Sequence, residues 1–389
     1  MSLKFVRIGD ICEVVSGATP KTKQAEFWDG DIPWATPKDL SENDSKYLND
    51  TPRKITDTGL KSCSAKLLPV GSVLFSSRAP IGLLAINTQP VCTNQGFKSL
   101  VPREGVVTAD YLYWWLKANR PEIEKRGRGA TFKEISKKIV QDIEIPLPDI
   151  GEQKRIAAIL DAADALRAKR RETLAQLDTM LQSTFLEMFG DPVTNPKGWK
   201  KTPMGQLMRI RRGGSPRPIK RYLGGTINWV KIGDATRSDD DLYIRSCAEK
   251  ISEDGLSKTT LLQPGSLIFA NSGVSLGFAR ILSVQGAIHD GWLAFEGFDE
   301  DLLDRIFFLK ALNGITEHFR KTAPSGTQPN LNTSIMKAFQ IILPPIGDQR
   351  HFAAIVQSVE QQKSRLRAHL DELDALFGSL QTRAFAGEL

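Results

Sequence analysis

The chain has 389 residues, 41% of them hydrophobic and 25% charged, which is typical of a globular protein with about two or three domains. Its net charge of +7 and pI near 9.1 are compatible with a nucleic-acid partner without requiring one. It has no run of about 18 apolar residues, no apolar N-terminal leader and no CxxC pair among its four cysteines. We therefore expect a cytoplasmic chain with reduced thiols, no membrane span and no zinc site.

Residues 1–145 are predicted to form a first globular domain that mixes strands and helices. Apolar runs such as GSVLF (71–75), bounded by Gly and Pro, are typical of short strands, and YLYWWLKANRPEIEKR (111–126) is typical of a helix.

Residues 146–190 are predicted to form a long helix. No Pro or Gly occurs in 152–189, Asp149 followed by Glu152 is a capping-box pattern, and Gly190 ends the helix. The same residues resemble the PD…ExK pattern of metal-dependent nucleases. Because only two residues separate the two halves of that pattern, helix capping is the preferred interpretation.

A basic segment without any acidic residue follows, between Asp191 and Asp234. Its Gly and Pro content predicts loops, and a loop-borne positive surface favours a polyphosphate partner over a merely solvated face. The ten cations are Lys197, Lys200, Lys201, Arg209, Arg211, Arg212, Arg217, Lys220, Arg221 and Lys231.

Residues 191–341 repeat the first domain at an offset of 194 to 197 residues. Blocks in the same order are the mark of a tandem duplication, with copies at about 1–190 and 191–389. The matching blocks are SGATP (16–20) with GGSP (213–216), FWDGDIPW (27–34) with YLGGTINW (222–229), ITDTGL (55–60) with ISEDGL (251–256), LLPVGSVLF (67–75) with LLQPGSLIF (261–269), TNQGF (93–97) with IHDGW (288–292), and IPLPDIGEQKR (145–155) with IILPPIGDQRH (341–351).

Residues 342–389 are predicted to form a second long helix. Phe352, Val359, Leu366, Leu373 and Leu380 recur every seven residues, and Ile156, Ala163 and Leu177 follow the same spacing in the first helix. The apolar stripes also include Leu166 in the first helix and Leu376 in the second. We therefore predict an α+β (mixed α/β) fold in which two globular domains are each followed by a long helix. The two helices, about 55–60 Å long, are expected to pack as an antiparallel coiled coil and to form a rod between the domains.

Several chemical motifs are missing from the sequence. It contains no GxGxxG, no Walker motif, no HExxH and no Asn/Asp-Pro-Pro-aromatic run of amino-methyltransferases, and the four histidines are dispersed. No catalytic, cofactor-binding or metal site is predicted.

The repeated blocks resemble one family. SGATP, FWDGDIPW, SSRAPIG (76–82), TNQGF and IPLPDIGEQKRIAAILD (145–161) in the first copy, with RRGGSPRPI (211–219) and WVKIGDAT (229–236) in the second, are similar to the specificity (S, or HsdS-like) subunit of type I restriction-modification enzymes. The resemblance covers nearly the whole chain. It implies target-recognition domains at 1–145 and 191–341 and long-helix spacers at 146–190 and 342–389.

The resemblance also implies a function. Each target-recognition domain would read one half of a bipartite, asymmetric site in double-stranded DNA. The helices would set the gap between the halves and dock two methyltransferase (M) subunits, which restriction/translocase (R) subunits then join. The specificity subunit itself would catalyse nothing. S-adenosylmethionine, ATP and Mg²⁺ are expected on the partner subunits, and no membrane is involved.

Candidate DNA-binding residues are polar and cationic side chains expected on exposed loops, because such groups read base edges or clamp phosphates. In the first copy they are Thr19, Lys21, Lys23, Ser76, Ser77, Arg78, Asn94, Gln95, Arg126, Arg128, Thr131 and Lys133. In the second copy they are Arg211, Arg212, Ser215, Arg217, Lys220, Arg221, Asn271, Ser272, Ser275, His289, Asp290, Ser325, Gln328 and Asn330.

Two other classes of function stay open at this stage. The chain could be a component of a DNA-modifying enzyme with its own activity, although the missing cofactor motifs disfavour this. It could instead be a coiled-coil adaptor that bridges proteins without binding DNA, and a gel-shift experiment would distinguish that class.

Overall fold

The computed structural model describes residues 4–78, 80–129, 133–237, 240–323 and 330–389. The chain divides into two compact units. Unit 1 comprises Met1–Lys169 and Leu370–Leu389, and unit 2 comprises Arg170–His369. The predicted tandem duplication of mixed α/β domains, each followed by a long helix, is confirmed. The residue boundaries proposed for the four segments remain a prediction.

Unit 1 contains short strands and helices followed by one long helix. The helices are α1 (Ile8–Ile11), α2 (Pro37–Ser41), α3 (Asp57–Lys61), α4 (Ala109–Ala118), α5 (Arg120–Lys125), α6 (Lys137–Gln141) and the start of α7 (Ile150–Phe189). The strands are β1 (Phe5–Arg7), β2 (Cys12–Ser16), β3 (Trp28–Ala35), β4 (Tyr47–Leu48), β5 (Lys54–Ile55), β6 (Val73–Phe75), β7 (Leu84–Asn87), β8 (Cys92–Thr93), β9 (Lys98–Pro102) and β10 (Glu144–Pro146).

Unit 2 repeats this series. Its helices are α8 (Met204–Leu207), α9 (Ile232–Thr236), α10 (Arg305–Gly314), α11 (Thr316–Thr322), α12 (Thr333–Ala338) and the start of α13 (Ile346–Ala386). Its strands are β11 (Lys201–Pro203), β12 (Arg209–Arg212), β13 (Leu223–Val230), β14 (Tyr243–Ile244), β15 (Glu249–Ile251), β16 (Thr260–Leu262), β17 (Leu267–Ala270), β18 (Ala279–Leu282), β19 (Gly286–Ile288), β20 (Trp292–Glu296) and β21 (Gln340–Ile342).

The sheets of the two units have the same topology. A five-stranded sheet has the order β2-β9-β6-β7-β4 in unit 1 and β12-β20-β17-β18-β14 in unit 2. A second sheet has the order β5-β3-β8 or β15-β13-β19-β16, and the pairs β1-β10 and β11-β21 join the ends of each module. The extra strand β16 corresponds to a single bridge, Leu68 to Val91, in unit 1. The repeat in the sequence therefore corresponds to the same order of strands in the sheets of the two units.

The FWDGDIPW block and its counterpart form β3 and β13. Each strand breaks register against its antiparallel neighbour after its first residue, between Trp28 and Ile32 in one copy and between Leu223 and Ile227 in the other. The closing Trp34 is 2% exposed and donates its indole N–H to the Ala18 carbonyl at 3.0 Å. The block thus belongs to the shared framework.

In each unit, a part of α7 packs antiparallel against a part of α13. In unit 1, Arg155 contacts the Leu389 carbonyl at 2.8 Å, and twelve residues later Arg167 contacts Asp374. In unit 2, Asp178 contacts Lys363 at 2.6 Å, and Phe185 packs edge-on against Phe352. As the residue number increases along α7, the number of the contacting residue in α13 decreases, as antiparallel packing requires.

The predicted apolar stripe is only partly buried. Ile156, Phe352 and Val359 are buried, but Leu166 is 57% exposed and Leu376 is 52% exposed, so their assignment to the buried seam is wrong. Next to these leucines the two helices are joined by the ion pair of Arg167 with Asp374. Among the described residues, none of the helices is both long and apolar enough for a membrane crossing.

Candidate nucleic-acid interface

Four loops converge on one side of the unit 1 module. The loop after β2 reaches the residues that follow β8, where the Ala18 N–H donates to the Thr93 carbonyl at 2.9 Å. The loop after β6 joins the same region, because the Ser77 N–H donates to the Gly96 carbonyl at 2.7 Å. Residues 128 and 134 then bond to each other, and the Ile135 N–H donates to the Ser77 carbonyl at 2.9 Å. We call this the unit 1 loop face (residues 17–24, 76–78, 80–82, 93–97, 126–129 and 133–135).

The equivalent loops converge in unit 2. The Gly214 N–H donates to the Ile288 carbonyl at 3.1 Å, the Asn271 N–H to the Gly291 carbonyl at 3.0 Å, and the Leu331 N–H to the Asn271 carbonyl at 2.9 Å. This unit 2 loop face comprises residues 212–221, 271–277, 289–292 and 330–331. The two faces occupy the same place in the same topology.

The SGATP and GGSP blocks are explained by close approach of two backbones. A Cβ on Gly17 would lie 1.9 Å from the Asn94 carbonyl oxygen, and one on Gly213 would lie 2.2 Å from the His289 carbonyl oxygen. Only glycine fits at these positions. The glycine therefore lets the first loop lie against the Asn94 or His289 loop in each copy.

A hydroxyl bonds to a polar side chain at matching points of the two faces. Thr19 Oγ1 donates to Gln95 Oε1 in unit 1, and Ser215 Oγ donates to Asp290 Oδ1 at 2.9 Å in unit 2. All four were predicted site residues, and the structure brings them together in pairs.

Three predicted contact residues are not on the surface. Ser76, Ser77 and Asn271 have no exposed surface, so their expected placement as exposed loop residues is wrong. Backbone groups at the loop bases engage all three side chains. Ser76 Oγ donates to the Pro80 carbonyl at 2.7 Å, Ser77 Oγ to the Gly96 carbonyl at 3.0 Å, and Asn271 Nδ2 to the Leu331 carbonyl at 3.4 Å.

The predicted cations fall into two groups. Arg78 lies 3.8 Å from Glu134, and Arg211 forms a two-pronged ion pair with Glu296, so an internal acid offsets their charge. The others are exposed and form no ion pair with any described residue, which leaves their charge available to an anionic partner. They are Lys21, Lys23, Arg126, Arg128, Lys133, Arg212, Arg217, Lys220 and Arg221.

The basic segment is thus not one continuous binding surface. Lys197 donates to the carbonyls of Glu187 and Met188 at the end of α7, where a cation offsets the partial negative charge of a helix terminus. Lys231 pairs with Glu249 on the neighbouring strand β15. Only the part around 212–221 reaches the unit 2 loop face with free charge.

The remaining predicted residues lie on or beside the faces. Asn94 Oδ1 accepts from the Gly96 N–H at 2.8 Å, so it shapes its own turn. Ser272 and Asn330 form a bridge, and both are half-buried, as is Ser275. Thr131, Ser325 and Gln328 lie outside the described residues.

His289 is half-buried on the unit 2 loop face. Burial lowers the pKa of its imidazole, nearby Arg217, Lys231 and Arg212 lower it further, and Asp290 acts in the opposite direction. Its Nδ1 lies 3.0 Å from the Gly291 nitrogen and 2.9 Å from Asp290 Oδ1, so the imidazole is held within its own loop.

Sequence reasoning missed the residues that fix each module to its long helix. Gln153 and Gln349 are fully buried at the starts of α7 and α13 and bond to backbone groups of the preceding module. Their signal was the identical Gln in GEQ and GDQ. The PD…ExK resemblance is explained as predicted, because Asp149 caps α7 by accepting the Glu152 N–H at 2.9 Å.

An ion cluster around the buried Lys363 side chain in unit 2 was also missed. Carboxylate oxygens of Asp178, Asp241 and Glu360 lie within 4.8 Å of one another, a spacing that a metal ion would suit. The Lys363 ammonium fills this space at 2.6, 2.7 and 3.3 Å from them. The arrangement is an internal salt-bridge network in which lysine supplies the cation.

These features define a tandemly duplicated recognition protein with one loop face in each copy. A family model described as "Type I restriction modification DNA specificity domain" matches residues 2–177 and again residues 196–373. The chain belongs to this family.

Individual relatives agree with the assignment. The chain is 30% identical to the type I restriction enzyme MjaIX specificity subunit of Methanocaldococcus jannaschii, over 98% of this chain and 92% of that protein. A chain solved in work on "complex assembly" and "conformational transition of the type I R-M system" has a TM-score of 0.63 at 18% identity, covering 99% of this chain and 98% of that one. The type I restriction-modification system S subunit from M. genitalium has a TM-score of 0.56 at 16% identity, covering 99% and 96%. These two structures show the fold.

Proposed function

We propose that this chain is the DNA-recognition subunit of a type I restriction-modification complex. Each loop face reads one half of a bipartite, asymmetric site. One observation carries the proposal: the same loop face occurs twice, with matching framework residues and different exposed side chains. Two different half-sites require such an arrangement.

The free cations of the faces support DNA as the ligand. Lysine and arginine side chains without an internal acid release counterions when they contact phosphates, and this supplies most of the non-specific affinity for DNA. Polar side chains beside them would read base edges in the major groove.

We further propose that the chain catalyses no reaction and binds no cofactor by itself. It would act in the cytoplasm, where two methyltransferase subunits and the restriction subunits supply the S-adenosylmethionine, ATP and Mg²⁺ chemistry. Both long helices carry exposed apolar side chains, such as Leu166, Leu186 and Leu376, that suit a scaffold for partner subunits.

Exchange of one module tests the proposal. Residues 1–145 are replaced with the matching module of the M. jannaschii relative, and the assembled methyltransferase is analysed by long-read methylation mapping. One half of the methylated sequence is expected to change while the other is kept. A change in both halves, or in neither, contradicts one half-site per module.

Two measurements on the purified chain separate the proposal from its alternatives. Methyl transfer to DNA by this chain without partners would show an enzyme. Partner binding that is insensitive to salt, together with no DNA binding in a gel shift, would show an adaptor.

A further inference from the structure

We propose that Gln95 and Asp290 are the equivalent base-reading side chains of the two modules. Asp290 requires an amino group, from cytosine or adenine, and Gln95 selects adenine. This inference rests on the proposed function, because it assumes that the loop faces contact DNA.

The two residues hold the same position in the fold. Gln95 lies two residues after β8, which pairs in parallel with β3 at Trp34 and Cys92. Asp290 lies two residues after β19, which pairs in parallel with β13 at Trp229 and Ala287. Neither pairing depends on the side chains at 95 and 290.

Each residue is held by a hydroxyl from the first loop of its face. Thr19 bonds to Gln95, and Ser215 bonds to Asp290 at 2.9 Å. The loop that carries the hydroxyl is itself fixed by the matched backbone bonds of Ala18 and Gly214. An oriented side chain loses less conformational entropy when it makes a further contact, as base recognition requires.

The contacts made within each face engage one oxygen of each group and leave its other polar atom available. Gln95 is exposed and keeps both Nε2 hydrogens and one Oε1 lone pair. The Asp290 side chain is 39% exposed, and its Oδ1 lies 2.9 Å from both Ser215 Oγ and His289 Nδ1. Its Oδ2 accepts no hydrogen bond from the described residues. Gln95 therefore offers donors and an acceptor, whereas Asp290 offers acceptors only.

The charge of Asp290 is unusual for its surroundings. Arg212, Arg217 and Lys220 are exposed on the same face, and Arg212 bonds to the Asp290 backbone carbonyl at 3.0 Å rather than to its carboxylate. A carboxylate on a phosphate-binding surface repels DNA unless a donor on the DNA compensates. By contrast, Glu134 on the unit 1 face lies within 4 Å of two cations, Arg78 and Lys98.

Base chemistry decides which donors can compensate. In the major groove the only donors are the amino groups of cytosine N4 and adenine N6, whereas guanine and thymine present acceptors on their own strand. A carboxylate facing two acceptors loses its hydration without gaining a bond, so Asp290 excludes guanine and thymine. The free Nε2–H and Oε1 of Gln95 match adenine N7 and N6 as a two-bond pair.

Methylation mapping of the assembled complex tests the inference. Asp290→Asn keeps the shape and the acceptor for Ser215 but adds a donor, so guanine or thymine should become tolerated at one position of one half-site. The preference there is expected to fall by about 5- to 150-fold, with the other half unchanged. Gln95→Glu should change one position in the other half only.

Transplanting one pair gives a second, positive test. Ser215→Thr with Asp290→Gln copies the Thr19 and Gln95 pair into the second module, and the affected position should come to require adenine. Asp348→Asn, the same chemical change at an exposed position of α13, is the matched control and should leave the site unaltered.

The possible failures are distinguishable. If the unaltered complex shows no bipartite site, the proposed function is wrong. If it shows one, and the Asn, Glu and transplant variants all leave every position unchanged, base reading by these residues is wrong while the proposed function survives. A uniform loss of methylation at all sequences would also contradict base reading, because the loss of a framework or phosphate contact weakens binding to all sites equally.

Discussion

Gln153 and Gln349 make the same three hydrogen bonds in the two halves of the chain. Gln153 accepts the Thr108 N–H at 2.9 Å and donates to the carbonyls of Val106 and Pro148 at 3.0 and 2.9 Å. Gln349 accepts the Asp304 N–H at 2.9 Å and donates to the carbonyls of Leu302 and Pro344 at 3.0 and 2.8 Å. In each half of the chain, this glutamine thus connects the first turn of the long helix to the residues just before α4 or α10.

Replacing either glutamine with leucine is expected to destabilise its own unit. Gln153→Leu leaves one N–H and two carbonyls without their partner, and because these groups lie near the surface the cost should be about 2 kcal/mol. Urea unfolding followed by circular dichroism measures the free energy. Gln176→Leu, on an exposed face of the same helix, is the control with little expected change. Equal effects of the two substitutions would contradict the role of Gln153.

Lys363 is expected to be one of the most sensitive positions of unit 2. Lys363→Met removes the ammonium and leaves the carboxylates of Asp178, Asp241 and Glu360 close together. The loss should be about 3 kcal/mol, at the lower end for a broken buried pair because Asp178 is half exposed. Differential scanning calorimetry provides the measurement, and Lys154→Met on an exposed face of α7 serves as the control. If Lys363→Met is as stable to unfolding as the wild-type protein, the cluster does not contribute to the stability of unit 2.

Acid should weaken the same cluster through Asp241. Burial alone would raise the pKa of its carboxyl, but Lys363, Arg280 and Lys310 hold the pKa below its ordinary value. A carboxyl with a lowered folded pKa contributes stability above its unfolded pKa and loses it as the pH falls through the folded value. The gap between wild type and Asp241→Asn in the free energy of unfolding should therefore be constant above about pH 5 and disappear below about pH 4. Urea unfolding at stepped pH measures this gap. A gap that widens in acid would contradict the pKa direction.

Lys220 is expected to contact phosphate rather than a base. Lys220→Ala should weaken DNA binding by a similar factor for all sequences and lower the slope of log affinity against log salt by about one. Fluorescence anisotropy at several salt concentrations reports both values for the assembled complex. Lys337→Ala, at an exposed position of α12, is the matched control. A sequence-dependent loss would instead indicate base contact.

Lengthening both long helices tests whether they set the gap between half-sites. Seven residues are added between Arg167 and Asp178 in α7 and between Lys363 and Asp374 in α13, which preserves the ion pairs within each unit. Seven helical residues span about 10.5 Å, so the gap should grow by about three base pairs, or assembly should fail. Methylation mapping gives the gap, and a substitution of the same segments at constant length is the control. An unchanged gap in an assembled complex would exclude this role.

Much of the fold was predictable because the chain repeats itself. Matching blocks such as FWDGDIPW and YLGGTINW located equivalent strands, and the absence of Pro and Gly over 152–189 located α7. The pairing of Thr19 with Gln95 was not predictable, because it joins loops that only the sheet topology brings together.

The direction in which individual side chains point could not be predicted from the sequence either. Residue type placed Ser76 and Asn271 among surface loops, but backbone hydrogen bonding turned both inward. Leucine at a heptad position predicted burial, yet Leu166 and Leu376 remain exposed, because an apolar pattern does not reveal where the partner surface ends.

The division of the chain into units determines the order in which they can be completed during synthesis. Unit 2 is one continuous stretch, Arg170–His369, and all of its residues have been made before residues 370–389 are added. Most of unit 1 is translated before unit 2, but its core also contains Phe377 and Ala384. The core of unit 1 can therefore be completed only after unit 2 has been synthesised. A chain that stops after residue 369 would therefore leave the core of unit 1 incomplete, whereas unit 2 would be whole.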